Sequence, residues 1–298
     1  MSSALYFPSW STRWSSNPSE CPISQLKTKY PKLTHIFICF SKPDLSYSKG
    51  QSTFAGTGLE FSSDFSVIRE AITFIKSKGV KVFLSVGGGA YWSQNQSFNI
   101  TSTIYLADDL NMDGIDIDYE STGDGKSLTS HIRNLRSQYS KLIFFAGWST
   151  GAYTPDGSYA GTAIDALKNV GNLIDGVNIM AYDAGPTYSP QTAFNAYRSL
   201  YKGTLLLGFL VGQPGWGGYL LTTADVKRDT LFISNQPNSG IFIWCEGKEG
   251  SPSTLDIFSI NSSNSKPPPP TSPPPPPPPT PSKISLQCPV CKSVFIKQ

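Results

Sequence analysis

No run of apolar residues in this chain approaches the ~20 needed to cross a bilayer, so a membrane span is not expected. Met1 leads almost directly into a strand-like segment, without the basic and apolar stretches of an export signal, and no signal peptide is expected either. An excess of one charge is also missing. With 24 Lys and Arg against 21 Asp and Glu the net charge is only +3, and no basic run or aromatic-basic interleaving is present. That balance argues against nucleic acid and for a neutral partner. Histidine is scarce: His35 and His131 are the only two, expected in a core strand and on an exposed helix face. The five cysteines make an odd count. Cys39 and Cys245 fall in or beside apolar strands as small core residues, and no disulfide framework is indicated.

What the chain does have is a regular alternation of short β-rich runs with helix-like stretches. Strands are predicted near Leu5 to Phe7, His35 to Phe40, Val82 to Val86, Gly114 to Tyr119, Leu142 to Ala146, Val177 to Ala181, Leu205 to Phe209 and Ile241 to Trp244. The clearest helix follows Asp64, a good N-cap, with Ile68, Ala71, Ile72 and Ile75 on one stripe and Gly79 just beyond its end. Further helices are expected near Ile104 to Leu110, Leu128 to Gln138, Ala163 to Leu173, Thr192 to Tyr201 and Ala224 to Leu231. The order predicts an α/β fold, a TIM (β/α)8 barrel over residues 1–260, with functional residues at the C-terminal strand ends. Only about thirty residues separate Phe209 from Ile241, so no large α+β domain is inserted there.

After Ile260 the composition changes. Residues 261–282 contain Pro267 to Pro270, Pro273 to Pro279 and Pro281, a polyproline spacer running at ~3.1 Å per residue or, alternatively, a recognition site for proline-binding domains. The tail, 283–298, carries Cys288-Pro-Val-Cys291, which is half of a zinc site shared between two chains, a tail disulfide or the remnant of a lost module.

The most informative segment is Asp113-Gly-Ile-Asp-Ile-Asp-Tyr-Glu120. On a strand, the period of two sends Asp116, Asp118 and Glu120 to one face. Aligned carboxyls repel and resist desolvation, which favours chemistry over stability as the reason for them. An acidic metal site fits less well, because magnesium and calcium take acids spread over loops. Neighbouring same-face residues sit roughly 6.6 Å apart on one side of a substrate. A glycosidase that supplies its own nucleophile instead flanks the bond with two carboxyls about 5 to 5.5 Å apart. Asp118 and Glu120 cannot do so. Glu120, at the strand end, is placed as a general acid, and the nucleophile comes from another strand or from the substrate.

The same octapeptide resembles the signature of glycoside hydrolase family 18, the chitinases and their relatives. Ser85-Val-Gly-Gly88, Met180-Ala-Tyr182-Asp183 and Trp244, closing Gly240-Ile-Phe-Ile-Trp, resemble the family's third, sixth and eighth strands in order. Tyr6 and Phe40 correspond to aromatic residues on its first two. Gly147-Trp148 and Gly212-Gln213 depart from the pattern.

The resemblance implies an endo-acting chitinase that needs no cofactor and no metal, works as a monomer on chitin or chitooligosaccharides, and acts outside the cell. It implies substrate-assisted catalysis, with Glu120 as acid and base, Asp118 orienting the substrate's 2-acetamido group, Asp116 sharing its proton and Tyr182 bonding the acetamido oxygen. Asp183 would bind the distorted sugar and Trp244 stack beneath it, with Met180, Tyr6 and Phe40 lining the same site. Asp113, out of phase, would be structural. Trp10, Trp14, Tyr91, Trp92, Trp148, Tyr153, Trp216 and Tyr219 lie in or beside loops, where aromatic rings can stack on sugars. Trp92, Trp148 and Trp216, after the third, fifth and seventh strands, are the better candidates. The rival readings are an endo-β-N-acetylglucosaminidase acting on N-glycans and a chitin-binding, lectin-like relative.

Overall fold

The computed structural model describes residues 1–92, 97–121, 125–152, 161–185, 187–213, 218, 220–264, 285–287 and 294–296. Eight parallel strands pair in chain order: β1 (Ser2–Pro8), β2 (His35–Ser41), β3 (Lys81–Gly87), β4 (Gly114–Asp118), β5 (Leu142–Trp148), β6 (Gly176–Met180), β7 (Thr204–Leu210) and β8 (Ser239–Trp244). β8 returns to β1, so the sheet closes into the expected barrel. Around it stand α1 (Pro22–Lys29), α2 (Phe65–Ser77), α3 (Ile100–Asp109), α4 (Gly125–Arg136), α5 (Thr162–Val170), α6 (Pro190–Leu200), α7 (Thr223–Ser234) and α8 (Thr254–Asn264). Between β7 and β8 the only helix or strand among the described residues is α7. No described helix is long and apolar enough to cross a membrane.

Strand parity sorts side chains into two cores. Ile36, Ile38, Ile115, Ile117, Ile143 and Ile179 point outward into the layer shared with helix residues such as Ile68, Ile72 and Ile75 of α2. α2 begins after Asp64 as predicted, although the Asp64 side chain makes no capping bond, and Gly79 takes up the left-handed conformation past its end (φ 79°). The opposite parity fills the barrel interior with Ala4, Tyr6, Phe37, Phe83, Phe144, Leu206 and Phe242. Near its floor the rings interlock: Phe37 stacks on Phe83 at 5.0 Å, and Phe83 meets Phe144 edge-on at 4.9 Å. Glycines make room for them, since a Cβ on Gly114 would lie 2.5 Å from the Phe83 ring and one on Gly176 2.2 Å from that of Phe144.

Asp113 sits at the floor end, where its carboxylate accepts from the Val82 N–H (2.8 Å) and pairs with Lys76 (3.0 Å). Asp175 repeats the arrangement before β6, with Ile143 N–H and Arg136.

α1 and α8 were not expected from the sequence. α1 buries only Ile23, Ser24 and Leu26, too few for a visible stripe, and α8 is rich in Ser and Asn. Packing holds α8: Ile257 and Phe258 are buried, and Asn261 donates to the Ser3 hydroxyl (3.0 Å). The compact barrel unit therefore runs to Ser265 and takes in Asn261, which composition had assigned to the spacer. A second unit contains β9 (Ser285–Gln287) paired antiparallel with β10 (Val294–Ile296), a pairing the sequence reading did not anticipate. The polyproline run, Cys288 and Cys291 lie outside the described residues.

Candidate active site

β4 carries the acids up the barrel interior toward its C-terminal mouth, where Glu120 follows the strand. Asp116 is fully buried and ringed by donors. Its Oδ2 accepts from the Ser85 hydroxyl (2.7 Å) and the Tyr6 hydroxyl (2.9 Å), while Asn178 Nδ2 approaches Oδ1 at 3.4 Å. Burial still pushes its pKa up to about 7, against the opposing pull of the Ser85 and Tyr6 bonds. Asp118, 3 % exposed, has an Oδ1 with no hydrogen-bond partner among the described residues. Burial raises its pKa well above the carboxylate range, and the negative charges of Glu120 and Asp116 raise it further. Glu120 is half-buried, and burial lifts it to about 7, opposed by the Gly89 N–H bonded to it. The three carboxyls thus form a ladder, anchored at its lower rung, in which burial raises every pKa.

The turn after β3 fits around this ladder. Gly88 N–H donates to the Asp118 carbonyl (3.0 Å), and a side chain on Gly88 would strike the Phe40 ring at 2.7 Å. A Cβ on Gly89 would come within 3.2 Å of Glu120 Oε2, so glycine lets the backbone approach the acid. From β6, Met180 enters the interior core and Tyr182 packs against it, 6.2 Å from Phe242. The Tyr182 hydroxyl is held far above its usual pKa by burial and by the nearby Asp118 and Glu120. Asp183 follows in the left-handed conformation (φ 53°), uncommon for a residue other than glycine, with Gly218 close against its backbone.

Aromatic rings line one side of the mouth. Trp244 stacks on Phe40 (5.5 Å, 28°), and Phe40 lies beside Trp10 (6.2 Å, 30°), which is 48 % exposed. Trp148, at the end of β5, packs half-buried against the same interior.

Two expected sugar-binding residues are buried: one lies behind the sheet, and the other lies within the site beneath the acids. Trp92 is only 7 % exposed, in the outer core against Tyr119 (4.9 Å) and His131 (5.4 Å), because Tyr119 has outward parity and draws its partners behind the sheet. His131, expected on an exposed helix face, is half-buried in that cluster, and burial lowers its pKa. Tyr6 is 2 % exposed and binds Asp116 from beneath, so its hydroxyl belongs to the acid ladder. Trp216, Tyr153 and Tyr219 lie outside the described residues. Asn178 was missed. It shares inward parity with Met180 on β6, and a polar residue on that parity was the available signal.

The model for glycosyl hydrolases family 18 matches residues 2–210. A class V chitinase of Lotus japonicus is 25 % identical over 236 residues, covering 72 % of this chain and 55 % of that protein. The chain spans about half the length of the curated relatives it matches. Among solved structures, a chitinase of this family from Pseudoalteromonas aurantia superposes with a TM-score of 0.66 at 21 % identity, covering 89 % of this chain and 100 % of that one. A fungal endo-β-N-acetylglucosaminidase gives 0.65 at 18 % identity, with 89 % and 98 % covered. At these identities the structures share the fold.

Proposed function

The chain belongs to glycosyl hydrolases family 18, and from that membership and the acid ladder we propose a retaining, endo-acting chitinase that works by substrate assistance. The observation that carries the proposal is Glu120. It stands at the open end of the ladder with its pKa raised to about 7, so it can hold a proton for the leaving group and later act as a base at the same pH.

Glu120 protonates the glycosidic oxygen. The carbonyl oxygen of the 2-acetamido group on the same sugar attacks the anomeric carbon, closing an oxazolinium ring as the C–O bond breaks. Asp118, close to Glu120 and with no donor on Oδ1 among the described residues, takes the acetamido N–H, orients the group and offsets the positive charge. Asp116 balances the proton on Asp118. Tyr182 donates to the acetamido oxygen, and Asp183 holds the distorted ring. Water, deprotonated by Glu120, then opens the oxazolinium from the face the leaving group vacated, so configuration is retained. Trp244, Phe40 and Trp10 offer stacking faces along a chain of sugars, and Trp148 packs against the same interior core from β5. Endo action is inferred from the short stretch between β7 and β8, about thirty residues of sequence in which α7 is the only helix or strand among the described residues.

Chitin is preferred over N-glycans because Met180-Ala-Tyr182-Asp183 is intact, and an enzyme over a lectin-like binder because Glu120 is present. Side-by-side digestion of colloidal chitin and a high-mannose glycoprotein tests this. Soluble oligosaccharides from chitin and an unaltered glycoprotein are expected; release of the N-glycan with chitin untouched would overturn the substrate assignment.

A further inference from the structure

Asn178 has no place in the reaction as written above, yet it is fully buried in the barrel interior and aimed at the ladder. Its Nδ2 donates to the Tyr6 hydroxyl oxygen at 2.9 Å and reaches toward Asp116 Oδ1 at 3.4 Å. Its Oδ1 is buried with no hydrogen-bond partner among the described residues. The reverse amide orientation would set that oxygen against a carboxylate, so the amide keeps its donors inward at the expense of an unpaired acceptor.

A phenol has one proton. With Asn178 N–H occupying the Tyr6 oxygen, the Tyr6 proton is directed to Asp116 Oδ2, where it is observed at 2.9 Å, beside the Ser85 hydroxyl at 2.7 Å. Asp116 is then met by hydroxyl donors on one oxygen and the amide on the other, whereas Asp118 Oδ1 has no partner among the described residues. We propose that Asn178 is a positioning residue for catalysis: by aiming the Tyr6 hydroxyl it holds the negative charge on Asp116 and leaves the shared proton with Asp118, beside Glu120.

The groups that act on Asp116 are the Tyr6 hydroxyl from β1, the Cys39 thiol from β2, Ser85 from β3, Asp118 on its own strand and Asn178 from β6. Of these only Asp118 is acidic enough to exchange a proton with it near neutrality. Without the Asn178 donor the Tyr6 hydroxyl is free to turn, Asp116 becomes more basic, and the proton leaves the rung where turnover needs it.

The inference rests on the proposed chitinase activity, and its test keeps the two apart. Profiles of kcat and KM against pH are measured on a soluble chitooligosaccharide for wild type, Asn178→Leu, Tyr6→Phe and the double variant. Asn178→Leu is expected to lower kcat roughly tenfold with little change in KM, to move the acidic limb to higher pH, and to add almost nothing to Tyr6→Phe. An unmoved acidic limb, or losses that simply multiply, would make Asn178 structural and overturn the inference. Should Asn178→Leu not fold, Asn178→Asp keeps the volume and places a second carboxyl against Asp116; the acidic limb should again move upward, and a wild-type profile overturns the inference. No turnover by wild type would remove the chitinase reading and this inference together, whereas wild-type turnover with unmoved variants removes the inference alone.

Discussion

The floor and the mouth of the barrel interior are lined by the same strand parity and do opposite things. At the floor, Phe37, Phe83 and Phe144 fill space against glycines, and these rings need no partner beyond van der Waals contact. At the mouth, two or four residues beyond Phe83, Gly114 and Gly176 on β3, β4 and β6, Ser85, Asp116, Asp118 and Asn178 place polar groups in an equally dry environment. The difference teaches where stability and chemistry are divided along a strand. The floor supplies a rigid, well-packed base, and the mouth uses that rigidity to hold carboxyls that would otherwise be hydrated and ionised.

The largest effect should come from the mouth. Glu120→Gln is expected to lower kcat by roughly a hundred- to ten-thousand-fold while leaving oligosaccharide binding and thermal unfolding near wild type. Rate assays, binding isotherms and a melting curve check it, and activity within a few-fold of wild type would remove Glu120 from the acid role. At the floor the pattern should invert. Phe83→Ala is expected to cost about 3–5 kcal/mol of stability, measured by denaturant unfolding, with kcat largely kept at temperatures where the barrel is folded.

A third variant sharpens the boundary between the two regions. Asp116 and Glu120 are raised to about 7 and Asp118 is raised as well, so the folded state keeps protons that the unfolded chain releases near pH 4. Their stabilising contribution is complete at low pH and is lost as pH rises through about 7. Asp118→Asn removes one such group. Its melting temperature should exceed that of wild type by a few degrees at pH 8, with the gap closing at pH 4, while its activity collapses. A gap that is equal at both pH values would mean Asp118 ionises normally. The smallest effect belongs to the rim, where Trp10→Ala should raise KM for long oligosaccharides roughly fivefold, about 1 kcal/mol, and leave the shortest substrate unaffected.

Much of this division was legible before any coordinates. Alternation of Ile with acids in residues 113–120 gave the inward trio, and recurring β-rich runs located every barrel strand. Parity also held an unread signal in Asn178, hidden because a single Asn between Val177 and Ile179 looks like an ordinary strand substitution. Trp92 was misplaced because position after a strand does not reveal which layer a loop ring enters; its packing partner Tyr119 does. α8 was obscured by Ser and Asn shared with the spacer, although Ser253 and Asp256 exchange reciprocal capping bonds that their spacing foreshadows. The row of Trp10, Phe40 and Trp244 joins three distant segments, and only the closed barrel brings them into line.

The central claim, that the substrate's acetamido group is the nucleophile, is tested most directly by comparing turnover of a fully N-acetylated chitotetraose with that of its N-deacetylated counterpart and of cellotetraose. The account predicts hydrolysis of the acetylated tetramer alone, with the β anomer as the first product. Efficient cleavage of either of the others, or a covalent sugar adduct on Asp183, would contradict it.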